Sequence, residues 1–144
     1  MKDKILFLCS GNSCRSQIAE GLFNNRNNYM KAYSGGLKPL GYINPYAIDI
    51  MKEISIDISK QSSKMLPNDL STYYIFVLCD CSQSCPDLHR ERFYEVPVKD
   101  PSEGVHDIRN YREVREKIEI IVDDIIECLT SDNIEIKLNE KFMK

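Results

Sequence analysis

Two uninterrupted apolar runs, residues 5–8 ("ILFL") and the β-branched, aromatic stretch 72–79 ("TYYIFVLC"), limit what this chain can become. A strand alternates its side chains between two faces, so a run with no polar member leaves neither face for water. Such strands belong inside a parallel sheet covered by helices, and the intervening segments supply helical patterns. From Ser16 the periodicity pairs Ile18 with Leu22 and Ala19 with Phe23, then fades in the helix-poor string 24–28. Asn44 followed by Pro45 reads as an N-cap and first-turn proline, ahead of apolar positions at Ala47, Ile48, Met51 and Ile54. A long helix over 111–129 gathers Val114, Ile118, Ile121, Val122, Ile125, Ile126 and Leu129 on one side. Residues 29–34, closed by Gly35 and Gly36, and residues 92–98 read as two further strands. The expected fold is α/β: three α/β/α layers around a four-stranded parallel sheet, in a single domain over 1–144. The segment 132–144 carries no assignable pattern. In such sheets ligands sit at the carboxyl ends of the strands. Cys9 and Cys79 fall at those ends, and Asp100 follows the fourth strand.

A net charge of −3 gives no general affinity for nucleic acid or an anionic membrane, so any anion site must be local. The leading apolar run, 5–9, is shorter than the roughly seven residues of a secretory signal core, and nothing approaches the ~20 residues of a membrane span. A cytoplasmic location is therefore expected. In that reducing compartment the six cysteines read as catalytic, metal-binding or buried rather than as a disulfide framework.

The stretch "CSGNSCRS" (9–16) has the composition of an oxyanion cradle. Five residues between Cys9 and Arg15 suffice for a loop whose amides point inward, with Gly11 expected to supply the backbone freedom. The helix that follows aims its positive end at the same spot, and Arg15 adds a planar fork for two oxygens. A cysteine in that field is expected to ionise and act as a nucleophile, aided by a hydrogen bond from Ser16. The G-K-[ST] ending of a nucleotide P-loop is missing. C-x5-R alone is a weak pattern; the strand, small-residue loop and Arg-Ser helix start around it give it weight. Cys14 is expected to pack inward without a catalytic role.

"CSGNSCRSQIAEG" strongly resembles the phosphate-binding loop shared by low-molecular-weight protein tyrosine phosphatases and thioredoxin-coupled arsenate reductases, and N-S-C-R-S-Q-x-A-E-G is similar to the reductase branch. "YSGG" (33–36), "NPYAIDIMKEISIDIS" (44–59), "VLC" ending at Cys79, Cys85-Pro86 and Asp100-Pro101 extend the resemblance in order. It implies Cys9 as nucleophile, Arg15 as oxyanion clamp and Asp100 as general acid, although Asp-Pro alone reads as a turn. Ser10, Gly11, Asn12, Ser13, Cys14 and Ser16 would bind the substrate, arsenate, with phosphate or sulfate as analogues.

"LCDCSQSCPD" then separates the two branches, because a phosphatase needs only water to release its cysteinyl-phosphate. By resemblance, Cys79 would attack the Cys9 sulfur and Cys85 would take over the disulfide for reduction by thioredoxin. The spacing from Cys79 to Cys85 is one residue shorter than in better-known members, and Cys81 is an extra thiol that could serve in the relay. Zinc bound by Cys79, Cys81, Cys85 and His89 is a weaker alternative, since the spacing matches no common finger. The other readings are a phosphatase with redox-regulated loop thiols and a non-catalytic oxyanion- or zinc-binding module. Neither a metal nor a cofactor is expected, and the chain is expected to be a monomer. Asn12, Glu20 and Ser34 match a potassium site found in some members, but Lys64 stands where those have an aspartate. An ammonium in the ion's place implies no potassium dependence.

Overall fold

The computed structural model describes residues 1–79, 88 and 91–143. Its order is β1 (Lys4–Cys9), α1 (Arg15–Arg26), β2 (Lys31–Gly36), α2 (Pro45–Lys52), β3 (Tyr73–Val77), β4 (Phe93–Glu95), α3 (Ile108–Leu129) and α4 (Ile134–Phe142). The four strands pair in parallel in the order β2-β1-β3-β4. The α/β class and the four-stranded parallel sheet are those the apolar runs require.

Alternation along β1 divides the core. Ile5 and Phe7 point into one cluster with Ile18, Leu22 and Phe23 of α1, Ile50 of α2, and Val114, Ile118 and Val122 of α3. Leu6 and Leu8 point the other way, onto Ile75 and Val77, beneath Leu66, Leu70 and Leu88. Among the described residues, helices therefore cover the first face, whereas the cover over Leu6 and Leu8 is non-helical.

Several boundaries depart from the periodicity for local reasons. The first helix survives into the Asn-rich string because Asn24 bonds both backbone groups of Ala32 in β2, at 3.0 and 2.8 Å. It stops where Asn27 turns its side chain back onto the Phe23 carbonyl. The second strand runs through both glycines instead of ending before them. A Cβ on Gly36 would stand 2.7 Å from the Ser10 carbonyl, so only glycine lets the first loop lie so close. The long helix starts at Ile108, capped by Asp107. The unassigned tail forms α4, capped by Asn133. Leu138 of α4 is buried, Phe142 meets Phe76 edge-on at 5.5 Å, and the Tyr94 hydroxyl donates to Asn139 Oδ1 at 2.7 Å.

Glu53, at the end of α2, ties that helix to α3. It accepts from Arg112 (2.8 Å) and Arg115 (2.9 Å), and these bonds pull its carboxyl from 4.5 down to about 2. A depressed carboxyl contributes stability that is complete above its unfolded value and is lost as pH falls through the folded one. Glu53→Gln is thus expected to lower the thermal midpoint only slightly at pH 7, because these ion pairs are solvent-exposed and screened. The gap from wild type should narrow below pH 4.5 and close toward pH 2, as melts across that range will show.

Candidate active site

The loop after β1 closes over the carboxyl end of the sheet. Its left-handed residue is Asn12 (φ 46°), not Gly11. A Cβ at 11 would stand 3.1 Å from the Leu40 side chain, which would have to shift by a few tenths of an ångström. The loop is clamped from outside. Lys38 and Leu40 donate their amides to the Ser10 and Gly11 carbonyls at 2.9 and 3.0 Å, and the Asn44 amide donates to the Ser13 carbonyl at 2.9 Å.

The Cys9 thiol is 2 % exposed, with Sγ 2.9 Å from Ser16 Oγ. Above it opens a cavity of about 270 Å³, lined by Cys9, Ser10, Gly11, Ser13, Cys14 and Arg15 and walled by Lys38, Leu40, Asn44, Asp100, Pro101 and Ser102. No side chain caps the start of α1, so its first amides remain available to a ligand at this end of the helix. Arg15 is buried, donates Nη1 to the Val98 carbonyl at 3.0 Å, and holds Nη2 3.9 Å from Asp100 Oδ2.

Asp100 stands opposite the thiol loop at the cavity wall. Burial pushes its carboxyl up, but the hydroxyl and amide of Ser102, at 2.7 and 2.9 Å, outweigh it together with Arg15 and His106. The net position is below the ordinary carboxylate value, so the group is ionised near neutrality. An arriving oxyanion would push it back up, since like charges disfavour each other's ionisation. The Cys14 thiol is driven up by burial, with Cys9 adding to the effect, and stays protonated. The Ser13 hydroxyl is buried and has no hydrogen-bond partner, the position of a group that waits for a ligand.

The structure thus brings Cys9, Ser10, Gly11, Ser13, Cys14, Arg15 and Asp100 to one cavity. Asn12 and Ser16 do not line it; both are fully buried behind the loop and hold it from the rear. Cys79 lies half-buried just past β3, the strand paired with β1, whose neighbour spacing is ~4.8 Å. It is not among the lining residues. Cys81, Cys85 and His89 lie outside the described residues. Among those described, no helix is long and apolar enough to cross a membrane.

Three contributors carry no sequence signal of their own, and a fourth, Gln17, is marked only by its place in the N-S-C-R-S-Q stretch. Lys38, Leu40 and Ser102 are brought in by loops. Gln17 occupies a helical position among apolar neighbours, yet it is fully buried and reaches the Asn12 carbonyl, Asn12 Oδ1 and the Ser62 carbonyl at 2.9–3.1 Å.

The sequence profile of the family described as low molecular weight phosphotyrosine protein phosphatase matches residues 4–135. "Arsenate reductase 1" of Staphylococcus epidermidis is 36% identical over 129 residues, covering 85% of this chain and 94% of that protein. A solved arsenate reductase in its phosphate-binding state is 32% identical with a TM-score of 0.77, covering 90% of this chain and 99% of the other. The low molecular weight protein tyrosine phosphatase from T. tengcongensis shares the fold at 24% identity, with a TM-score of 0.72 and coverage of 88% and 99%.

Proposed function

Because the chain belongs to the low molecular weight phosphotyrosine protein phosphatase family and its relatives include arsenate reductases, we propose that it reduces arsenate to arsenite through a relay of cysteine thiols. The observation that carries this reading is the buried Cys9 thiol, bonded to Ser16, on the floor of a cavity faced by Arg15 and Asp100.

In this reading the oxyanion settles on the loop amides and the α1 N-terminus, with Arg15 and the Ser13 hydroxyl as further donors. The Cys9 sulfur attacks As(V). One arsenate oxygen leaves as water, its proton delivered by Asp100, and a Cys9–arsenic bond forms. The Cys79 thiolate then attacks the Cys9 sulfur. The sulfur–arsenic bond breaks with its electron pair going to arsenic, which departs as arsenite, and a Cys9–Cys79 disulfide remains. Two electrons have passed from two thiols to one arsenic. Cys85 attacks Cys79, Cys9 is released as a thiolate, and the Cys79–Cys85 disulfide is reduced by the two thiols of thioredoxin. The cytoplasm, where thiols are kept reduced, is the compartment this cycle suits.

The test mixes fully reduced protein with one equivalent of arsenate, without added thiol, and maps disulfides by mass spectrometry against a phosphate-treated control. A Cys79–Cys85 bond formed only with arsenate, together with arsenite, is the expected result. A bond through Cys81 would keep the reaction and reassign the last thiol. No arsenate-dependent disulfide would overturn the reductase, and hydrolysis of p-nitrophenyl phosphate would then be the activity to measure.

A further inference from the structure

Behind the loop runs a chain of side chains that the mechanism above does not use. Asn12 Nδ2 donates to Ser16 Oγ at 2.8 Å and to Ser34 Oγ at 2.9 Å. Ser34 Oγ donates to Glu20 Oε1 at 2.6 Å, and Lys64 Nζ stands 3.7 Å from that same oxygen. The far end is Ser16 Oγ, 2.9 Å from Cys9 Sγ.

The directions follow from what each group can do. An amide NH2 only donates, so Asn12 makes acceptors of both serine oxygens, and each serine has its own proton left to give. Ser34 gives its proton to the Glu20 carboxylate; Ser16 gives its proton to the Cys9 sulfur. The Asn12 orientation is itself pinned, because its Oδ1 accepts from the Lys64 amide at 2.8 Å and from Gln17 Nε2 at 3.1 Å. The Asn12 amide is thus held by the Lys64 amide, by Gln17 and, through Ser34, by Glu20, and the last of these is the tie that a cation at Glu20 strengthens. The Glu20 side chain is only 15% exposed, and a carboxylate so enclosed needs a cation. Lys64, at 40% exposure, stands beside it at the surface, its ammonium hydrogen-bonded to the Ser62 carbonyl at 2.9 Å.

A potassium ion, which the family resemblance would put among Asn12, Glu20 and Ser34, does not fit these residues. Asn12, with its NH2 toward Ser34 and its oxygen taken by Lys64 and Gln17, offers an ion no ligand, and the ammonium facing Glu20 repels an ion from the oxygens that are left, those of Glu20 and Ser34. We propose that Lys64 is a tethered cation that holds Glu20 and, through Ser34, Asn12 and Ser16, fixes the Cys9 sulfur for reaction without an alkali-metal ion. Glu20 and Lys64 touch no substrate; they are positioning residues. The inference rests on the reading of Cys9 as nucleophile, and not on arsenate as its substrate.

The test follows alkylation of Cys9 by iodoacetamide, read at that residue by mass spectrometry, in potassium chloride and in tetramethylammonium chloride at equal ionic strength. Wild type is expected to react equally fast in both salts. Lys64→Gln keeps the backbone bond to Asn12 and is expected to react about 3- to 10-fold more slowly in tetramethylammonium, with potassium restoring the rate. Lys64→Arg should behave as wild type, and Glu20→Gln should be slow in both salts. A wild type accelerated several-fold by potassium would overturn the proposal. So would a Lys64→Gln variant as fast as wild type, or one slowed without rescue by potassium. Alkylation involves no arsenate, so a failed reductase reading would show in the disulfide map and leave this result standing.

Discussion

Cys9→Ser is expected to abolish arsenite release, by at least ~10⁴-fold, because a hydroxyl offers neither the nucleophile nor the electron pair that the thiol relay needs. The substitution changes little else. Oxygen is close to sulfur in size, the Ser16 contact can persist, and the residue sits at 2 % exposure in a loop whose shape is set by Asn12, Lys38 and Leu40. The variant should therefore melt within a few degrees of wild type and still be stabilised by added phosphate. Arsenite assays beside melts with and without phosphate separate the two effects. Activity within tenfold of wild type would move the nucleophile to another thiol.

Arg15→Lys comes next in size. The guanidinium spans two duties at once, bonding the Val98 carbonyl at 3.0 Å while its other terminal nitrogen stands 3.9 Å from Asp100 at the cavity wall. A lysine ammonium is a point charge and cannot bridge the Val98 carbonyl and an oxyanion together. Loss of the fork should lower kcat/KM for arsenate by about 10²- to 10³-fold, the cost typical of one removed oxyanion donor. A melt of the variant checks that the Val98 tie is not also holding the fold. A loss of less than threefold would mean that the loop amides and the α1 terminus bind the oxyanion on their own.

Where side-chain chemistry is local, the sequence discloses it. Asn44-Pro45 starts α2 as its capping chemistry requires, and the apolar runs become β1 and β3 because no other arrangement buries both their faces. Cys9, Arg15 and Asp100 meet because Cys9 ends β1, Arg15 opens the helix that follows it and Asp100 lies past β4 of the same parallel sheet. What stays hidden depends on long-range partners. Asn24 looks like a helix breaker until β2 supplies its bonds, and Gly11 looks like the flexible residue until the turn is seen to fall on Asn12. Lys38 is one more exposed lysine in the sequence and becomes a cavity wall only through its amide bond to Ser10. The tail did contain a signal. Asn133 precedes Ile134, Leu138 and Phe142 at four-residue spacing, which is the apolar stripe of the helix it forms.

That tail helix bears on how the chain folds. Among the described residues β4 has three residues, pairs only with β3 and lies at the sheet edge, so its own ladder holds it weakly. Its Tyr94 is fastened by Asn139, 45 positions later, and the Phe76 ring beneath it is covered by Phe142. Closure at this edge is a non-local event and must wait for a distant segment, whereas β1, α1 and β2 can assemble from neighbours in sequence. While α4 is still unplaced, a growing chain carries an aromatic surface over β3 and β4 without the cover of Phe142 and the Asn139 bond. That interval is when the protein most needs protection from aggregation.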